Sequence, residues 1–208
     1  VAKGATDTHV RDKIHNVWNR YEAKKSVVVE TEEAEDIAEF MQSDAKVEWI
    51  VDGIVAKNTI AFVVGLPESN KTWLCMDLAV EAARGGAWLG LFPVKPVKTL
   101  FIDQERWRGE TKRRFQALLR AKGIEGLVRG GLAVKSGSSI KLDLEQSYNA
   151  FVRLLEKIRP ELVIIDSLAT FHSKEENSRS EIQSVMEKVK QLREQFGCTF
   201  LFISHSNK

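Results

Sequence analysis

A mostly parallel α/β sheet with helices on both faces is the fold that this chain of 208 residues predicts. Short, almost wholly apolar runs alternate with longer stretches of helical period from Val47 onward. Such runs lack an inside–outside alternation, as strands buried on both faces do. Glycine, proline or a capping residue punctuates the helical stretches where a crossover has to turn.

Composition fits that fold. Apolar residues make up 43% of the chain and charged residues 29%. A chain of this length buries roughly 70% of its unfolded surface, so neither metals nor disulfides are needed to hold it. Cys75 and Cys198 make no ligand spacing, which argues against a zinc module or a disulfide scaffold. Lys and Arg number 31 against 29 Asp and Glu, a net charge of +2. That balance permits nucleic-acid binding without predicting it. No apolar run reaches the roughly 18 residues of a membrane span, and no basic-apolar leader opens the chain. The expectation is a soluble, cytoplasmic protein with no membrane partner.

The elements follow in order. Residues 1–45 read as an accessory region or linker. Val10, Ile14, Val17, Trp18 and Tyr21 share one helical face with Asp7 as cap, and Ser26–Val29 reads as a strand. The acid-rich stretch Glu30–Glu39 follows, with Ile37, Phe40 and Met41 as a candidate buried side. Residues 46–208 read as the core, of a kind that often continues past a strand such as the one before Lys208. Trp49–Val55 leads into a strand at Thr59–Val64, and Gly65–Thr72 opens a helix carrying Leu74, Leu78 and Ala82. Gly85 and Gly86 stop it. Thr99–Asp103 is the next strand, followed by a helix with Phe115, Leu118 and Leu119 that ends near Gly123. Gly130–Ser139 reads as a mobile loop or strand connection. Asp143 with Gln146 forms a capping box for a helix that Pro160 ends. Leu162–Ile165 is a strand bounded by Asp166. Ser180 with Gln183 caps the last helix, which Gly197 stops before the strand Thr199–Ile203.

The sharpest local signal is Gly65-Leu66-Pro67-Glu68-Ser69-Asn70-Lys71-Thr72. Its spacing is that of the phosphate-binding P-loop, G-x-x-x-x-G-K-[ST], with Asn70 in place of the second glycine. Backbone N–H groups and the helix N-terminus would surround phosphate oxygens. Lys71 would balance phosphate charge, and the Thr72 hydroxyl would reach Mg²⁺. Asparagine enters the left-handed region more readily than most residues, so the turn survives the substitution. The competing reading is an ordinary strand-to-helix loop with an exposed lysine.

Leu162–Asp166 resembles a Walker B strand whose terminal carboxylate supports magnesium beside such a loop. Hydrolysis also needs a group that holds water. Ser167, not glutamate, follows Asp166. Glu105 lies just beyond the strand Thr99–Asp103, at the edge where ligands collect in an open α/β sheet. It is the preferred catalytic carboxylate. Asp103 competes, but its place inside the apolar run favours a structural role.

Across Val47–Lys208 these pieces resemble the RecA-like P-loop ATPase superfamily, in its branch around the plasmid-encoded hexameric replicative helicase RepA. Trp49–Gly53 resembles the lead-in strand, Gly65–Trp73 the Walker A region, Phe101–Glu105 the strand ending in the catalytic glutamate, and Leu162–His172 with Glu176-Asn177 the Walker B segment. Phe202–Lys208 resembles the polar sensor segment, with Ser204 where the branch often has histidine. The resemblance implies ATP and Mg²⁺ as cofactors. It implies a phosphate cradle of Gly65, Leu66, Pro67, Glu68, Ser69, Asn70, Lys71, Thr72 and Trp73, with Thr72 and Asp166 at the metal. Glu105 would polarise water, and His205 would sense the terminal phosphate. For His205 a structural role competes, and for His172 contact with the site or a partner stays open. Single-stranded DNA and a homo-hexamer would be the partners. A helicase motor is the leading expectation, and a DNA-binding, loading or recombination-mediator module is the alternative. A P-loop kinase would need an acceptor pocket and lid that the sequence does not display. Arg106, Arg108, Lys112, Arg113 and Arg114, with Trp107 among them, form a basic run that could bind DNA, face a neighbouring subunit or simply coat a helix.

Overall fold

Leu162–Asp166 and Thr99–Asp103 are buried at every position, as strands covered on both faces must be. In the computed structural model, which describes residues 34, 36–126, 130–137, 139–173 and 179–205, they sit centrally in a five-stranded parallel sheet. Its strands are β3 (Ile60–Gly65), β6 (Thr99–Asp103), β7 (Leu132–Ser136), β8 (Leu162–Asp166) and β9 (Thr199–His205), in spatial order β3-β9-β8-β6-β7. Two antiparallel pairs accompany the sheet: β1 (Trp49–Val51) with β2 (Val55–Ala56), and β4 (Ala87–Trp88) with β5 (Phe92–Pro93).

Helices cover both faces of the sheet. On one face, Cys75, Met76, Leu78 and Ala79 of α2 (Lys71–Arg84) and Phe115 of α3 (Arg108–Ala121) pack against Phe101, Ile164 and Leu201. On the other, Phe151 and Leu155 of α4 (Glu145–Ile158) and Val185, Val189 and Leu192 of α5 (Arg179–Phe196) meet Ile102, Ile165 and Phe202. This is the predicted fold class. Lys122, just past α3, ties the first two helices together by pairing with the buried Asp77 and Glu81 of α2 at 2.6 and 2.7 Å.

The chain divides into the units Val1–Ala45 and Lys46–Lys208. In the first, the short helix α1 (Ile37–Phe40) is capped by Asp36, whose Oδ1 accepts from Ala38 N at 2.8 Å. Ile37, Phe40 and Met41 are all exposed, so the expected buried side does not form within this unit. The helix expected around Val10–Tyr21 with its Asp7 cap, and the strand Ser26–Val29, lie outside the described residues, as do Glu176-Asn177 and Ser206–Lys208.

Three local expectations are corrected. Gly130–Ser139 is not merely a loop: Leu132–Ser136 is edge strand β7, paired in parallel with β6 from Thr99↔Leu132 to Asp103↔Ser136. An edge strand has one neighbour and needs only a partial apolar face, so flanking glycine and serine masked it. Asp143 does not cap α4. Leu144 holds the cap position, and Asp143 instead accepts hydrogen bonds from the backbone and hydroxyl of Ser173. Ser180 falls inside α5, which begins at Arg179, rather than before it.

Register carries this fold toward chemistry. Gly65 pairs with His205, Asp166 with Ile203, and Asp103 with Asp166. Parallel strands in this register end together, so the polar groups at their C-termini gather along one edge.

Candidate active site: a phosphate loop facing two strand ends

β3 ends at Gly65, and the chain turns through Leu66–Asn70 into α2. Asn70 takes left-handed backbone angles, φ 63° and ψ 17°, the conformation the missing glycine would have adopted. Glu68 is left-handed as well. Gly65 is tight for another reason: a Cβ there would lie 3.0 Å from Ser69 Oγ. The Asn70 side chain makes no capping bond, so the first-turn N–H groups of α2 are left to an outside acceptor. Lys71 folds back across the turn. Its Nζ donates to the carbonyls of Gly65 at 2.8 Å and Leu66 at 2.6 Å, and approaches Ser69 Oγ at 3.4 Å.

Loop and strand ends share one cavity of about 400 Å³, within the range of small-ligand sites. Pro67–Trp73 form one wall, and Glu105, Arg106, Arg114, Asp166, Ile203 and His205 complete it. Thr72 Oγ1 donates to Asp166 Oδ2 at 2.7 Å, joining the two candidate metal residues. Glu105 is exposed at the rim, and His205 is exposed at the end of β9. His172 is buried away from this lining, with its carbonyl accepting from Lys141 Nζ at 2.8 Å.

Asp103 takes the structural part. It is fully buried, and its Oδ1 accepts from the backbone N–H groups of Glu105 at 3.2 Å and Arg106 at 3.0 Å. Its Oδ2 accepts from Thr111 Oγ1 at 2.8 Å. The carboxylate therefore shapes the turn that presents Glu105. Asp103→Asn is expected to cost about 1–3 kcal/mol, because an amide cannot accept all three bonds. Urea unfolding would measure it, and an unchanged midpoint would remove this role.

Burial pushes the Asp166 carboxyl up to about 6. The Thr72 hydrogen bond opposes that rise, the nearby Glu105 and Asp103 charges add to it, and the Arg106 guanidinium opposes it again. With a raised native value, ionisation costs stability as pH climbs from the ordinary carboxylate range through about 6. A bound cation relieves that cost. The donor set fits Mg²⁺, which takes one or two protein oxygens and completes its shell with phosphate and water. Among the described residues no group of three or more His, Cys, Asp or Glu could hold a metal by itself.

The basic run divides. Arg108, Lys112 and Arg113 are exposed, whereas Arg106 and Arg114 turn into the cavity. Arg106 Nη1 lies 3.3 Å from Asp166 Oδ2. Glu110 Oε1 lies 3.3 Å from both Arg106 Nε and Arg114 Nη2, and Arg114 stacks over the Trp73 ring at 5.3 Å. Reading the run as one surface coat misses this pair. The available signal is the spacing 106, 110, 114, which sets an acid four residues from an arginine on either side, Arg106 ahead of α3 and Glu110 with Arg114 within it.

Among the described residues no helix is long and apolar enough to cross a membrane. Among solved structures, the chain is similar to a KaiC-like protein from the hyperthermophilic archaeon Pyrococcus horikoshii, at 14% identity and a TM-score of 0.52. The similarity covers 76% of this chain and 65% of that one, and it shows a common fold. The profile of the AAA domain family matches residues 25–208, a span that holds the loop, both strand-end carboxylates and His205. The chain thus belongs to the AAA domain family and is a RecA-like, nucleotide-binding P-loop ATPase domain.

Proposed function

We propose that this domain is the Mg-ATP-hydrolysing core of a nucleotide-controlled DNA-binding, loading or recombination-mediator module of the cytoplasm. The observation that carries the nucleotide half is the single cavity joining Lys71, Thr72, Asp166, Glu105 and His205. In this reading the open N–H groups of α2 and the Lys71 ammonium bind the phosphate chain, with Gly65–Trp73 as its cradle. Thr72 and Asp166 hold Mg²⁺, which neutralises charge on the terminal phosphates. Glu105, exposed at the cavity rim with its backbone N–H held by Asp103 and its carboxylate in no hydrogen bond or ion pair among the described residues, orients a water and accepts its proton. His205 senses the terminal phosphate from the end of β9 and passes the state to the surface. Exposed Arg108, Lys112 and Arg113 on the neighbouring helix supply charge for a DNA backbone.

The second reading is a ring-forming replicative motor of the RepA branch. The order of its motifs, from the Walker A loop through Glu105 and Asp166 to His205, favours it. Both readings use homo-oligomers, hexameric in the second. One experiment separates them: phosphate release with and without single-stranded DNA over a protein-concentration series, paired with light scattering and a strand-displacement assay. The module reading expects DNA-stimulated turnover and no displacement. Displacement with a hexameric mass would establish the motor. A monomer whose turnover ignores both dilution and DNA would overturn both.

A further inference from the structure

Asp166 Oδ2 serves two donors at once. Thr72 Oγ1 reaches it at 2.7 Å and Arg106 Nη1 at 3.3 Å. A hydroxyl and a carboxylate in such contact are the donor set for a divalent ion, yet the cation beside them is a guanidinium. Asp166 is almost fully buried, and the acids Asp103 and Glu105 stand close enough to act on its charge. A carboxylate in that setting needs a compensating cation, and Arg106 supplies it from within the chain.

The arginine is shared between two carboxylates at equal distance, with Nη1 hydrogen-bonded to Asp166 at 3.3 Å. Its Nε pairs with Glu110 Oε1 at 3.3 Å, and Glu110 is itself anchored by Arg114. Arg114 in turn rests on the Trp73 ring. Glu110 thus gives the side chain a second anchor that does not depend on Asp166, and Arg106 lines the cavity together with the phosphate loop.

We propose that Arg106 is the cation that reads the terminal phosphate, held on Asp166 until Mg²⁺ and a nucleoside triphosphate arrive, and that it sets a preference for triphosphate over diphosphate. The inference rests on the nucleotide-site reading above. Two cations on one carboxylate oxygen repel, so a divalent ion at Thr72 and Asp166 makes the guanidinium's place there unfavourable. The phosphate chain would bring a larger negative charge into the same cavity than Glu68 and Glu105 at its lining. A guanidinium matches phosphate oxygens with two parallel donors. A diphosphate lacks the group it would reach, so the released guanidinium, still paired with Glu110, gains a two-donor phosphate contact only when the third phosphate is present. The site then carries its own phosphate-reading cation in the same chain.

The test uses the full chain, free of nucleotide, as wild type, Arg106→Ala and Arg106→Lys, with circular dichroism to confirm folding. Mn²⁺ binding is followed by electron paramagnetic resonance in the absence of nucleotide. Affinities for ADP and for the non-hydrolysable analogue AMP-PNP are then measured with Mg²⁺ by calorimetry. Arg106→Ala is expected to bind Mn²⁺ more tightly, to weaken AMP-PNP by ~10-fold or more, and not to weaken ADP. Arg106→Lys, which keeps the charge and loses the fork, should keep the weaker Mn²⁺ binding and recover only part of the AMP-PNP affinity. Unchanged Mn²⁺ affinity in Arg106→Ala, or equal weakening of both nucleotides, overturns the role given to Arg106. Failure of the wild type to bind either nucleotide overturns the nucleotide-site reading itself.

Discussion

Lys71→Ala is expected to weaken Mg-ATP binding by at least ~10²-fold, the scale of one or two hydrogen bonds to a charged group. Lys71 is 7% exposed, and its ammonium spans the loop, donating to two carbonyls, in a residue that lines the cavity. An apolar stub supplies neither charge nor donor. The folding cost is smaller, because Gly65 and Leu66 lie in a turn where water can satisfy the released carbonyls at about 1 kcal/mol each. Calorimetric titration with ATP, checked by circular dichroism and thermal melting, separates the two effects. A folded variant with native affinity would show that this loop does not hold the phosphates.

Glu105→Gln should retain nucleotide affinity and lower turnover by ~10²-fold or more, the contribution of a positioned proton acceptor. The backbone there is fixed by the bond from Glu105 N to Asp103 Oδ1, so the amide keeps the position and loses only the basicity. Single-turnover phosphate release alongside an ATP titration isolates the chemical step. Turnover near the native rate would move the role to another group. That group is not Asp103: it is fully buried, and its oxygens are committed to Glu105 N, Arg106 N and Thr111.

The sequence alone determined the covered strands and the loop. Thr99–Asp103 and Leu162–Asp166 read as buried strands because burial on both faces selects apolar residues at every position. The loop was legible because its chemistry is local. Spacing from Gly65 to Thr72 sets where the lysine and hydroxyl fall, and asparagine's tolerance of positive φ anticipated the turn at Asn70. Elements without such a local requirement were read wrongly or not at all. Strand β7 escaped because an edge strand takes its order from β6, not from its own composition. Asp143 had the residue type of a cap, but Ser173, distant in sequence, competes for the same oxygens.

Tertiary structure makes the polar groups meet. The motifs already pair Thr72 with Asp166 across 94 residues, and the order β3-β9-β8-β6-β7 brings the loop after β3 and the end of β8 to one edge, where the two bond. The same holds for Arg106, whose basic run the sequence leaves open between DNA, a neighbouring subunit and a helix coat, and which the turn shaped by Asp103 brings onto Asp166. A charged side chain's partner depends on distance in space, and electrostatic attraction in a buried cavity is insensitive to separation along the chain. Backbone preference is written residue by residue. Pairing is settled by the fold.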